Sequence, residues 1–123
     1  MSTAIQLHHN AINADLETMA STLVQVLGRP IVAGIVGIRN PKTISRWANG
    51  QVTSVRDRYS EERLIATYQV IHLLQEDFGS DTIRAFMLGM NPVLNDEAPA
   101  IALRDGNFKG AMDAARNFAA GGY

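Results

Sequence analysis

An all-α fold is predicted by three features of these 123 residues. Leu, Ala, Ile and Met are common while β-branched alternation is scarce. Apolar residues recur at three- and four-residue steps in several separate stretches. Those stretches are punctuated by helix stops and starts, at Gly28, Asn40-Pro41, Asn49-Gly50, Gly79-Ser80 and Asp105-Gly106.

Taken in order, residues 1–12 carry little pattern and are expected to be loose. Leu16, Met19, Ala20, Leu23 and Leu27 predict a helix over about 14–27, stopped by Gly28. Pro30 suits the first turn of a second helix, "PIVAGIVG", because its missing N–H bonds to nothing there. Ala33 and Gly34 are small enough for another helix to cross closely. Asn40-Pro41 reads as a cap and first residue of a third helix. On it Ile44 and Trp47 face inward, Trp47 against the long helix expected at 64–78, and Asn49-Gly50 ends it. After a polar connector at 51–59, Ser60 is expected to cap that long helix, with Glu61-Glu62 at its positive end. Leu64, Ile65, Tyr68, Ile71, His72, Leu74 and Phe78 supply its apolar stripe. A further helix is expected over about 81–89, opened by Ser80 and Asp81. Then come a turn-rich stretch, "GMNPVLNDEAP", a short helix at about 99–104 and a final helix from about 107 to 119. On the last, Phe108, Met112, Ala115 and Phe118 are spaced for burial. The domain division expected from this order is 13–79 and 80–123.

Composition narrows the function. Apolar residues make up 46 % and charged residues 19 %, a balance that suits a folded soluble protein. With no cysteine there is no disulfide, no thiol nucleophile and no cysteine-bound zinc. The first residues lack the basic flank and apolar run of a secretion signal, and "IVAGIVGI" at 31–38 is too short to span a bilayer. A cytoplasmic location with no membrane partner is the expectation. An enzyme is not: His8 and His9 fall in the loose start, and His72 sits among apolar residues with Glu76 one turn later as a structural partner. No HExxH or GxxxxGK pattern occurs. No catalytic residue, metal ligand or cofactor is therefore expected.

Charge is unevenly placed. The net charge is -1, yet residues 29–63 hold seven basic and three acidic side chains, a local +4 against -5 elsewhere. That excess coincides with a helix-turn-helix spacing: helix 30–36, a turn at Gly37-Ile38-Arg39, and helix 41–49. In such a motif the second helix enters the major groove and the first crosses the backbone. Arg46 suits a bidentate pair with guanine, and Asn49 or Gln51 suits adenine or phosphate. Lys42, Thr43 and Ser45 are candidate phosphate or base-edge contacts, and Arg56 and Arg58 candidate backbone contacts. One small module meets few phosphates, so useful affinity calls for a dimer.

Two stretches, "TISRWANGQ" at 43–51 and "FMLGMNPVLNDEAPAIALRDGNFKGAMDA" at 86–114, resemble antitoxins of the RES/Xre type, the MbcA/ParS/Xre family, and above all its mycobacterial MbcA-like members. Phe86, Asn91, Leu94, Pro99, Leu103, Gly106 and Phe108 follow the order of that family's toxin-binding domain. The resemblance spans roughly residues 15–123. Phe86 stands where many relatives carry tryptophan, and Ala102 where leucine is usual. The resemblance implies an all-helical protein, with a helix-turn-helix bundle continuing into a small C-terminal toxin-binding domain. It implies a homodimer within a toxin–antitoxin hetero-oligomer. The partners implied are operator DNA and a cognate RES-domain toxin that consumes NAD. The blocking surface carried over lies at about 91–123, with Asn91, Arg104, Lys109, Arg116, Phe118 and Tyr123 as contacts. The residues alone leave two other classes open: a stand-alone repressor whose C-terminal lobe only dimerises, and a protein-interaction adaptor with a vestigial DNA motif.

Overall fold

Asp15 starts the first helix in the computed structural model, which describes residues 15–122. Its carboxylate accepts the Thr18 amide at 2.8 Å, so α1 runs Leu16–Leu27, beginning later than the apolar pattern suggests. The expectation for residues 1–12 lies outside the described residues. At Gly28 the chain turns through 119° into α2, Arg29–Val36. Gly37 ends α2 in the left-handed conformation, φ 82°, and a Cβ there would fall 2.8 Å from Cε1 of Tyr59. Both demands select glycine. Asn40 accepts the Lys42 amide at 3.0 Å and opens α3, Pro41–Ala48, with Ile44 and Trp47 buried.

The support of α3 differs from the expectation. It lies on α1 and α2, and the Ser21 hydroxyl of α1 donates to the Ala48 carbonyl at its end, 2.8 Å away. Trp47 is thus buried on a helix whose packing partners are α1 and α2. Gly34 is exposed, with open space beyond a Cβ, so it serves no close crossing among the described residues.

The long helix, α4, runs Arg58–Gln75, and its cap is Asp57, which accepts the Tyr59 amide at 3.2 Å. Ser60 lies inside the first turn, fully buried, and its hydroxyl donates to the Val36 carbonyl at 2.7 Å. The serine expected to cap its own helix's amides instead serves the carbonyl end of α2, which has no partner within that helix. Helix α5, Ser80–Leu88, starts after Gly79 with no side-chain cap, so Ser80 is its first residue. Arg84 on α5 donates to the Val26 carbonyl near the end of α1, 3.1 Å away. A 3₁₀ turn, Pro92–Leu94, leads to α6, Pro99–Arg104, and α7, Phe108–Ala119. Among the described residues there is no strand, and one isolated antiparallel bridge joins Asn91 to Glu97.

Helix α4 is the axis, packed by α1, α2, α5, α6 and α7, and the core runs through both halves of the chain without a break. Helix α7 meets it through Ala111, Ala114 and Ala115, which are fully buried. Of the expected stripe of Phe108, Met112, Ala115 and Phe118, Ala115 is fully buried and the three larger side chains are half-buried, packed against the edge of the core. His72 is exposed and stacks on Tyr68 with ring centroids 5.6 Å apart, so it packs on the surface of α4.

Three consequences can be measured. Ser60→Ala should lower unfolding free energy in urea by about 1–2 kcal/mol, since the Val36 carbonyl loses a buried donor. Thr67 is fully buried and its hydroxyl has no partner. Thr67→Val should therefore raise stability by about 1 kcal/mol in the same titration. The Thr18 amide also holds the Asp15 carboxyl below its ordinary pKa. That contribution is complete above the unfolded value and is lost as pH falls through the lowered one. Asp15→Ala should accordingly show a shallower fall in melting temperature below about pH 4 than the parent chain.

Candidate functional site

The basic segment lies on α3 and the chain that follows it. Lys42, Arg46, Asn49, Gln51, Arg56 and Arg58 are exposed, while Thr43 and Ser45 are half-buried. Among the described residues, none of these cations makes an ion pair, so each guanidinium or ammonium is available to an anion. Ser45 is engaged differently from expectation. Arg29, at the start of α2, donates to its hydroxyl at 2.9 Å. The pair ties the start of α2 to α3. The Gln51 amide donates to the Asn49 side chain at 3.1 Å and to the Arg46 carbonyl at 3.0 Å. Asn49 thereby spends its oxygen on the turn and keeps its NH₂ for other contacts.

Thr43, Arg46 and Arg56 also line a pocket of about 450 Å³ between α3 and the connector, with Trp47, Val52 and Val55 as its apolar wall. Three of the eight residues singled out by sequence are thus brought together. A carboxylate that sequence reading missed also reaches α3: Glu17 of α1 comes to its end, its oxygen 2.8 Å from where a Cβ on Gly50 would stand. No local pattern links positions 17 and 50, since only the packing of α1 on α3 joins them.

The C-terminal candidates divide. Arg104, Lys109 and Arg116 are exposed and held by carboxylates: Arg104 by Asp105 at 3.2 Å, Lys109 by Asp113 at 2.8 Å, and Arg116 by the same Asp113 at 3.9 Å. Asn91 is 3 % exposed and does not belong to a contact surface. Its side chain accepts the Val93 amide at 2.9 Å, and its carbonyl accepts the amides of Leu94 and Asp96, each at 2.9 Å. This clamp supports Asn95 and Asp96 in the left-handed region, φ 55° and 69°. Phe118 is likewise architectural. Its ring lies 4.9 Å from both Phe78 and Phe86, closing α7 onto the ends of α4 and α5. Tyr123 lies outside the described residues.

Two features were not legible in the sequence. Arg63 donates to the Arg104 carbonyl at 2.9 Å and to the Tyr59 carbonyl at 3.2 Å. Its guanidinium stacks 3.4 Å above the Tyr59 ring and 5.6 Å from that of Phe108. The Tyr59 hydroxyl reaches the same Arg104 carbonyl, 3.3 Å away. The start of α4 is therefore fastened both to the end of α2, through Ser60, and to the α6–α7 turn. The second feature is a groove of about 470 Å³ between α4 and α7, with Lys109 and Arg116 along it.

No protein-family model matches the chain. It is similar to the mycobacterial cidal antitoxin MbcA of Mycobacterium tuberculosis and of Mycobacterium bovis, 33 % identical over 70 residues, 57 % of this chain. The matched stretch spans 60 % of the length of those curated relatives. The fold is similar to a chain in the crystal structure of the Mycobacterium tuberculosis MbcT–MbcA toxin–antitoxin complex. The TM-score is 0.71 and the identity 27 %, over 88 % of this chain and 96 % of that chain. The chain is thus similar to MbcA in sequence and in fold, and its described residues are all-α, as the helical periodicity predicts.

The division between surface and scaffold is testable. Asn91→Ala should lower unfolding free energy by about 1 kcal/mol, because the Val93 amide loses its side-chain acceptor while the backbone carbonyl keeps its two bonds. Lys109→Ala, which removes only an exposed ion pair, should stay within about 0.5 kcal/mol of the parent in the same denaturant titration.

Proposed function

We propose that this MbcA-like chain is an antitoxin that binds and blocks a cognate RES-domain, NAD-degrading toxin through its C-terminal helical face. In this proposal it also represses its own operon through α2 and α3. The observation that carries the proposal is the fold agreement over 96 % of a chain from a toxin–antitoxin complex. The RES identity of the toxin and its use of NAD come from the family resemblance of residues 43–51 and 86–114. The two activities fall to different segments, the basic surface around α3 and the charged rim of α7.

For DNA, the support is chemical. Lys42, Arg46, Arg56 and Arg58 are exposed around a short helix of the expected geometry. Arg46 is the candidate for base reading, Asn49 supplies a donor, and the remaining cations meet phosphates. With so few phosphates within reach of one copy, repression is assigned to a homodimer held within the toxin–antitoxin assembly in the cytoplasm. For the toxin, Arg104, Lys109 and Arg116 are the exposed candidates, and the segment from Ala120 onward is the one proposed to approach the toxin's cleft. A tail truncation has to begin at Ala120, since Phe118 belongs to the aromatic cluster that closes the fold.

The deciding experiment is co-expression with the product of the neighbouring gene, followed by affinity capture, mass measurement and an assay of cellular NAD. A stable complex that preserves NAD is expected. Arg46→Ala should lose at least about tenfold in operator affinity, one good base contact, while still preserving NAD. Removal of residues 120–123 should do the reverse. A chain that binds operator DNA in a salt-dependent manner but captures no neighbour would instead be a stand-alone repressor.

A further inference from the structure

Ile44 and Trp47 of α3 are buried, so Lys42, Ser45, Arg46 and Asn49, spaced i, i+3, i+4 and i+7, fall together on the opposite face of that helix. One more cation reaches this face from outside α3. Arg29, the first residue of α2, is exposed, and its Nη1 donates to the Ser45 hydroxyl at 2.9 Å. The two residues are 16 positions apart in the chain, so only the crossing of α2 and α3 brings them together.

This hydrogen bond leaves most of the guanidinium unused. Arginine has several N–H donors and no acceptor, and one donor is spent on Ser45. The hydroxyl accepts there, which leaves its own proton to donate elsewhere. Among the described residues Arg29 makes no ion pair, so its charge is not neutralised within the chain. A tie between two helices needs no charge, since a neutral amide would hold a serine hydroxyl as well. What the charge adds is attraction for an anion. A guanidinium beside a hydroxyl offers neighbouring donors to the oxygens of one phosphate. Lys42, one turn before Ser45, and Arg46, the next residue, are exposed cations on the same helix. The carboxylate found near α3, that of Glu17, stands at Gly50, past the end of the helix.

We propose that Arg29 is a DNA-phosphate contact and that Ser45 is the positioning residue that holds it beside α3. The inference rests on the DNA-binding part of the function proposed above and adds to it a residue from the first helix of the motif. Arg46 then reads a base edge, while Arg29 and the Ser45 hydroxyl hold one backbone phosphate next to it and fix the register of α3 on the duplex. The contact carries no sequence information, because every nucleotide presents the same phosphate. Ser45 therefore serves DNA binding through Arg29 and a phosphate, and it reads no base.

The test is fluorescence anisotropy of the full chain with two labelled duplexes over a series of potassium chloride concentrations. One duplex comes from the region upstream of the chain's own gene, and the other has unrelated sequence and equal length. Circular dichroism and the melting temperature of each variant are recorded alongside. Arg29→Gln keeps an amide donor for Ser45 and removes the charge. It should weaken binding to both duplexes about tenfold, the loss of one charge-assisted hydrogen bond. It should also lower the slope of log affinity against log salt by about one per bound copy, with the helical spectrum retained. Arg29→Met removes the charge by a second route and decides the matter if the glutamine variant does not fold. Arg29→Lys should keep the slope. Ser45→Ala should keep it too, with a smaller loss of affinity than Arg29→Gln, because the cation stays but is no longer held. A folded Arg29→Gln chain with the parent's slope and affinity overturns the proposal, leaves Arg29 as a tie between α2 and α3, and leaves the DNA-binding reading intact. A loss confined to the upstream duplex makes Arg29 a base reader and also overturns it. A Ser45→Ala chain that binds as tightly as the parent overturns the positioning role. A parent chain that binds neither duplex removes the DNA-binding reading and the proposal together.

Discussion

Four helices of this chain end on a carbonyl that a side chain from another helix takes up. Ser21 serves Ala48 at the end of α3, Ser60 serves Val36 at the end of α2, and Arg84 serves Val26 in the last turn of α1. Arg63 and Tyr59 serve Arg104 at the end of α6. The last carbonyls of any helix lack partners within it, and in a small bundle several of those ends are turned toward protein. Satisfying them from neighbours fixes how far each helix extends and where the next one crosses. Much of the remaining structure depends on this constraint. The first turn of α4 supplies two of the four connections, and through them it holds the end of α2 and the α6–α7 turn at one place.

That arrangement explains how the seven described helices keep two surfaces apart. The basic surface rests on α1 and α2, and the α7 surface rests on α4, so each has its own support while sharing a continuous core. Cations around α3 without acidic partners suit an anionic ligand, since no internal ion pair has to break before they bind. The cations of α7 are held by Asp113, which orients them along one rim of the groove. Alanine on the inner face of α7 is the condition for that groove. Larger core residues would push the helix outward and draw Phe108 and Met112 inward.

Elements whose limits are set locally were readable. Asn40-Pro41, Pro99 and Gly106 place the ends of α3, α6 and the α6–α7 turn where the pattern of caps and stops puts them, because capping is decided by a few adjacent residues. The start of α4 was misread for the same local reason. Asp57 and Ser60 are both competent caps, and only the nearness of the Val36 carbonyl assigns Ser60 another task. Asn91 was readable as a turn residue but not as a buried one, since its depth depends on α7 packing over the 3₁₀ turn.

The sequence by itself determined the all-α class, the order and approximate bounds of the helices, the clustering of basic residues between positions 29 and 63, and the family resemblance. Periodicity, capping chemistry and motif order are local properties, and they survive without knowledge of what packs on what. Only the tertiary structure decided that Trp47 lies among the first three helices, and that Phe118 joins Phe78 and Phe86. It also decided that Glu17 stands beside Gly50 and that α4 and α7 leave a groove between them. Each of these joins residues far apart in the chain, and their meeting depends on helix-crossing geometry, which side-chain size and carbonyl satisfaction fix together.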